Sequence, residues 1–238
     1  MPLPKISTPT YELVIPSTGK KIRYRPFLVK EEKVLVIAME SEDLSQIVNA
    51  VKDVIKSCIL TRGVKVEELS TFDIEYLFLN IRGKSVGEEV EVLVTCPDDG
   101  VTKVPVLISL DEIQVQFDET HSKDIKLDDS LTLRMRYPSM EEFVKNNFAV
   151  SEINLDETFN VIMSSIEQIY SEEESWSAKD CTKKELRDFV EQLSSKQFKE
   201  IENFYITMPK LSHTMTVTNP NTEVENEVVL EGLASFFG

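Results

Sequence analysis

The sequence predicts an α+β fold, on three observations. Apolar residues recur with helical spacing in some stretches and alternate with polar ones in others. The two kinds of stretch are segregated along the chain, strand-like runs at its start, centre and end and helical ones between them. Turn-forming residues such as Pro16-Ser17-Thr18-Gly19 and Asn219-Pro220-Asn221 separate paired strand-like runs. The expected order is an N-terminal β-hairpin with three helices (1–87), a central β section (88–138), a helical segment (139–207), and a C-terminal hairpin and tail (208–238) that packs with the central β section.

Taken in order, Pro2, Pro4 and Pro9 hold the first ten residues extended. Strands are expected over Tyr11–Ile15 and Lys21–Phe27, then a helix over Val29–Met39. Asp43–Leu60 follows as an amphipathic helix, with Leu44, Ile47, Val48, Val51, Val54, Ile55, Cys58 and Ile59 on one face and Gly63 beyond its end. The helix Thr71–Arg82 carries two apolar stripes, Ile74, Leu77, Phe78 and Ile81 beside Phe72, Tyr76 and Leu79. A helix so apolar on two sides is packed on both, which places it at the centre of the fold. Ser70 is its expected cap, with Asp73 in the first turn. Gly83 and Gly87 are expected to release the chain into the strands Val90–Val94 and Val104–Ile108, joined by the turn Cys96-Pro97-Asp98-Asp99-Gly100.

Residues 109–137 are acidic, with a hairpin expected from Ile125–Leu127 and Leu131–Tyr137 about Asp128-Asp129. Capping boxes at Ser139/Glu142, Thr182/Glu185 and Ser194/Gln197, and apolar spacing along Leu155–Tyr170, make 139–206 helical apart from a loop at Glu172-Glu173-Glu174. Strands return at Leu211–Val217 and Val224–Leu230. The chain closes on Phe236 and Phe237, a pair that either docks into the core or anchors a partner.

Charge narrows the function. The net charge of −16 disfavours a nucleic-acid surface, because phosphate repels such a chain. Yet residues 1–30 hold six basic side chains, Lys5, Lys20, Lys21, Arg23, Arg25 and Lys30, against the single acid Glu12. A basic end on an acidic body suits an acidic protein partner, a second copy included. No apolar run is long enough to span a bilayer and the first ten residues carry no apolar signal core, so no membrane association or export is expected. Three widely spaced cysteines, Cys58, Cys96 and Cys181, fit free thiols in a reducing compartment.

No chemistry-bearing motif emerges. The seven glycines form no phosphate-binding loop, and neither His121 nor His213 lies in a nucleophile motif. Cys96-Pro97-Asp98-Asp99-Gly100 has the outline of a zinc knuckle, but Asp99 stands where a second Cys belongs. In the C-terminal hairpin Asn219 and Thr222 occupy the matching positions. One thiolate cannot make a structural zinc site, so no metal, cofactor or catalytic residue is expected.

The runs TYELVIPSTGKKIRYRPFLVKEEKVLVIAMES (Thr10–Ser41) and SCILTRGVKVEELSTFDIEYLFLNIRGKSVGEEVEV (Ser57–Val92), and the ending LEGLASFFG, resemble the baseplate hub subunit and hub assembly proteins of T-even-like contractile-tailed phages. The resemblance implies a late protein of the host bacterial cytoplasm that helps assemble the central hub of the baseplate, as an assembly factor or chaperone or as a permanent hub subunit. It implies other hub and tail proteins as partners, the tape-measure protein among them, and no enzymatic activity. A tail-borne cell-wall hydrolase is the distant alternative. Within that reading the candidate partner-binding residues are Pro4, Lys5 and Tyr11 of the extended arm, Lys20, Lys21, Arg23 and Arg25 of the basic strand, and the terminal Phe236 and Phe237.

Overall fold

The structure, a computed structural model, describes residues 6–142 and 155–232. It bears out the α+β class. The chain falls into two compact units, one formed by Met1–Gln116 with Lys210–Gly238 and the other by Phe117–Pro209.

The first unit begins with the antiparallel hairpin β1 (Tyr11–Val14) and β2 (Lys21–Tyr24). Three helices follow: α1 (Val29–Glu40), α2 (Leu44–Cys58) and α3 (Thr71–Val86). Asp43 caps α2 by accepting the Ser45 N–H, and Val51, Val54, Ile55 and Cys58 bury its inner face. α3 packs on α2 on one side and on strands on the other, the central place its two stripes require. Ser70 and Asp73 close its first turn as a capping box. The expected end at Arg82 is corrected: α3 runs on through Gly83 to Val86. Gly83 is there for close packing, since a Cβ on it would meet Leu110 Cδ1 at 3.2 Å. Gly87, with φ of +148°, is what stops the helix.

Two sheets complete this unit. β3 (Glu89–Thr95) and β4 (Lys103–Ser109) form one hairpin, with Val90, Val92 and Val94 turned inward by simple alternation. The other sheet has the order β11–β10–β5, from Gln114–Gln116 (β5), Lys210–Thr218 (β10) and Glu225–Glu231 (β11). Leu79 of α3, the three valines, Cys96, Ile108, Leu110, Ile113, Leu211 and Val217 form their shared core. β5 was not expected. Its three residues, Gln-Val-Gln, carry no pattern of their own, and the strand exists because Lys210–Ser212 offers it a ladder.

The second unit holds a four-stranded antiparallel sheet of order β6–β7–β8–β9: β6 (Asp124–Lys126), β7 (Thr132–Met135), β8 (Ile166–Tyr170) and β9 (Ser175–Ser177). Helices Leu155–Ser165, Lys183–Glu191 and Ser195–Thr207 accompany it, and Leu133, Met135, Ile162, Ile166, Val190, Ile201 and Phe204 share a core with them. The expected capping boxes at Thr182/Glu185 and Ser194/Gln197 form. The Ser139/Glu142 pair forms too, with the Ser139 N–H donating to Glu142 at 2.8 Å; the helix expected to follow lies largely outside the described residues.

The uniformly helical reading of 139–206 is corrected. The helix from Leu155 ends at Ser165, and Ile166–Tyr170 is a strand. The cause is a register shift. Arg134 pairs with Gln168 but Met135 pairs with Ile166, so Glu167 is an extra residue in the ladder. That insertion turns both Ile166 and Ile169 inward, three positions apart, and three is a helical spacing.

Candidate functional site

The candidate surface is the β1–β2 hairpin. Its inner side is fixed by Ile15, Ile22 and Tyr24, all buried. Its turn is held from α3, where Asp73 Oδ1 accepts the Ser17 N–H at 2.9 Å while the same carboxylate accepts the Ser70 N–H. The free side of β2 meets the chain leaving α2: Leu60 N–H donates to Arg23 O, Arg25 N–H to Cys58 O, and Arg23 N–H to Thr61 Oγ1. The hairpin is therefore a clamped platform.

Alternation along β2 sends Lys21 and Arg23 outward, and Lys20 joins them from the turn. Lys20 Nζ donates to Gly63 O at 3.1 Å, so its position is set, and it makes no ion pair among the described residues. Lys21 pairs with Glu12, and that hydrogen bond, with the charge behind it, holds the Glu12 carboxyl below its ordinary pKa. Arg23 lies across from Glu12 in the ladder and makes no side-chain ion pair among the described residues.

The structure gives the other candidates different surroundings. Arg25 turns inward, donating to Glu31 Oε1 at 2.9 Å and to Pro26 O at 2.8 Å. Burial alone would raise the Glu31 pKa; bonds from Arg25, the Leu28 N–H and Lys30 outweigh it and hold the carboxyl low. Tyr11 is half-buried, its ring 5.8 Å from that of Tyr24 with Lys84 Nζ 5.6 Å above it. Pro4, Lys5, Phe236 and Phe237 lie outside the described residues. Where description begins, Ile6 is 93% exposed and leads along an irregular segment into β1.

A second constellation joins the tips of the β3–β4 and β10–β11 hairpins. The two tips close alike. Cys96 N–H donates to Thr102 O while Cys96 O accepts from Gly100; Asn219 N–H donates to Val224 O while Asn219 O accepts from Glu223. Gly100 and Glu223 both take positive φ, +68° and +60°. Between the tips, Asn219 Nδ2 donates to both Asp98 oxygens (2.9 and 3.1 Å) and to Asp99 Oδ2 (3.0 Å). Thr222 Oγ1 donates to Asp98, Asn221 Nδ2 to Thr102 Oγ1, and the Asp98 N–H to Asn226 Oδ1. Donors from Asn219 and Thr222 lower the Asp98 pKa, and Thr102 foremost does so for Asp99. Of the knuckle positions, Asn219 thus bonds directly to Asp99 and Thr222 to the neighbouring Asp98, while Cys96 bonds only within its own turn among the described residues. Among the described residues no group of three or more His, Cys, Asp or Glu could hold a metal ion. Sequence reasoning noted the like outlines of these hairpins but not the network, whose partners lie more than 100 positions apart.

The histidines form no acid–base machinery among the described residues. His213 Nε2 is 3.8 Å from Glu112, at the limit of an ion pair. His121 is stacked against Tyr137 and lies tilted against Phe204, and its Nδ1 meets Thr207 Oγ1 at 2.9 Å. Because Thr207 Oγ1 donates to Asn203 O, His121 carries its proton on Nδ1, which leaves its buried Nε2 without a partner.

These features define an α+β protein with a clamped basic hairpin on an acidic chain, and no described helix is long and apolar enough to cross a membrane. Residues 8–238 match the family model of the T4 bacteriophage base plate protein, and the chain belongs to that family. No curated protein and no solved structure matches it.

Proposed function

We propose that this baseplate protein acts without catalysis in assembling the central hub of a contractile tail, as an assembly factor that docks on acidic hub and tail proteins, the tape-measure protein among them. It does so in the host cytoplasm, before the particle is complete. The observation that carries the reading is the β1–β2 platform. Lys20, Lys21 and Arg23 stand outward on a hairpin clamped by Asp73 and by residues 58–61, on a chain whose net charge is −16. A chain so acidic gains specific attraction to another acidic surface only where its cations are gathered and held. The proline-bearing segment Pro2–Tyr11, which precedes that platform in sequence, supplies further contact, and Phe236–Phe237 is a second anchor. Family membership supports a baseplate role at the coarser level.

The test is co-purification from infected cells with the wild-type chain, a chain lacking residues 1–9, and K20E/K21E/R23E. Hub proteins should be recovered by the wild type and lost with the triple reversal, and recovery should fall as salt shortens the screening length from about 10 Å to about 3 Å. Undiminished recovery with the triple reversal overturns the platform as the docking surface. Mass spectrometry of purified particles separates the transient role from permanent residence: an assembly factor is absent from finished tails, a hub subunit is present in them.

A further inference from the structure

We infer that the outward face of α1 is an isologous contact between two copies of this chain. α1 buries Glu31, Leu35 and Ala38 against the body. On its opposite side Val29, Lys33, Val36, Ile37 and Glu40 share one face, at the offsets a helix brings together. Val29 is 79% exposed, Ile37 57% and Val36 48%. A helix packed on one side ordinarily turns charge to water on the other; α1 instead presents a branched apolar centre with one cation before it and one anion after it. Neither Lys33 nor Glu40 makes an ion pair among the described residues.

The order of these side chains selects the occupant. A two-fold axis between Val36 and Ile37 lays a second α1 antiparallel on the first. Val36 then faces Ile37 of the second copy, Lys33 faces its Glu40, and Glu40 its Lys33. The pattern is thus complementary to itself read backwards, which is what an isologous contact requires and what a foreign partner has no need of. A parallel pairing would set Lys33 on Lys33 and is disfavoured. The face is short: twelve residues of helix span about 18 Å, so the contact falls below the roughly 800 Å² per partner of standard stable interfaces and binds in the micromolar range. This inference does not rest on the docking of the basic hairpin.

Sedimentation velocity of the full-length chain across the micromolar range tests it. The expected result is a reversible monomer–dimer equilibrium. Ile37→Asp, which puts a charge at the axis, weakens it about tenfold or more. K33E and E40K each weaken it roughly threefold by setting like charges together twice, and the double variant K33E/E40K returns it to near the wild-type constant. All three substituted positions are exposed, and unchanged circular dichroism and melting show that folding is intact in each of the four variants. A chain that stays monomeric, a dimer indifferent to Ile37→Asp, or a double variant weaker than either single one overturns the proposal.

Discussion

Asp73 is the residue whose removal tests most directly how the hairpin is held. It is fully buried on α3 and takes the Ser17 N–H of the hairpin turn, the Ser70 N–H and the Ser70 hydroxyl. Asp73→Ala removes two bonds from backbone donors to a carboxylate, of which the Ser70 N–H bond is half of a capping box, and the bond from the Ser70 hydroxyl. A hydrogen bond to a charged group is worth about 1.5–3 kcal/mol, and loss of a cap about 1 kcal/mol. The three share one acceptor and are not additive, so the expected loss is about 3–5 kcal/mol in urea unfolding of this unit. Ser70→Ala, which spares the hairpin bond, should cost about 1 kcal/mol. Asp73→Asn should fall between, because its amide oxygen can serve one donor while its NH₂ faces another. Hydrogen exchange adds a local readout: a 3 kcal/mol loss speeds opening of residues 11–24 roughly 100-fold. If Asp73→Ala costs no more than Ser70→Ala, the Ser17 bond is not a fastening and the account of a clamped platform fails.

Three further outcomes follow from other sites. Gly83→Val should destabilise by about 2 kcal/mol in a denaturant titration, since a Cβ already meets Leu110 at 3.2 Å and a branch adds to the crowding; Gly83→Ala, which gains up to about 1 kcal/mol of helix propensity, should be close to neutral. Burial foremost, then Lys123, lowers the His121 pKa below its ordinary 6.5. The unfolded chain therefore binds the proton first, stability should fall as pH drops below about 6.5, and His121→Phe should flatten that part of the profile; an unchanged profile contradicts the assignment. At the hairpin tips the sign is the same, in a more acidic window. Asp98 and Asp99 have lowered native values, so their contribution is present above a pH of about 4 and is lost as pH falls through those values. Asn219→Ala should lower the melting temperature at pH 7 and weaken the acid dependence below pH of about 4, and a chelator should change neither.

Local signals in the sequence translated well. The capping boxes at Thr182 and Ser194 formed because each involves residues three apart. α3 was legible because two apolar stripes leave a helix no free side. Reading failed where a distant partner decides. Glu167 is inserted into the β7–β8 ladder and gives Ile166 and Ile169 a helical spacing. β5 is made by its neighbour, and Gly83 is explained only by Leu110. The same distinction runs through the candidate surface. Lys21, Arg23 and Arg25 alternate in sequence and suggest one outward row. The first two keep to it, but β2 ends at Tyr24 and the buried Glu31 of α1 draws Arg25 inward.

The joined tips bear on what stabilises the β section. Two like knuckles facing one another can be locked by a shared metal, which couples on the order of 10 kcal/mol of binding to folding, or by side-chain hydrogen bonds worth about 1 kcal/mol each in net terms. Here Asn219, Thr222 and Asn226 supply the second kind of lock. A clasp that weak cannot order two hairpins by itself. The ordering falls to the apolar layer beneath, where Val90, Val92, Val94, Ile108, Leu110, Leu211 and Val217 lie against Leu79 of α3. The polar lock then acts on register. Asn219 is fully buried, and a slip of either hairpin by one residue would strand its amide without an acceptor, at a cost larger than the bonds it makes when aligned. Stability from the core and alignment from the clasp together place β10 beside β5 and both against α3, the helix whose Asp73 also fastens the basic hairpin.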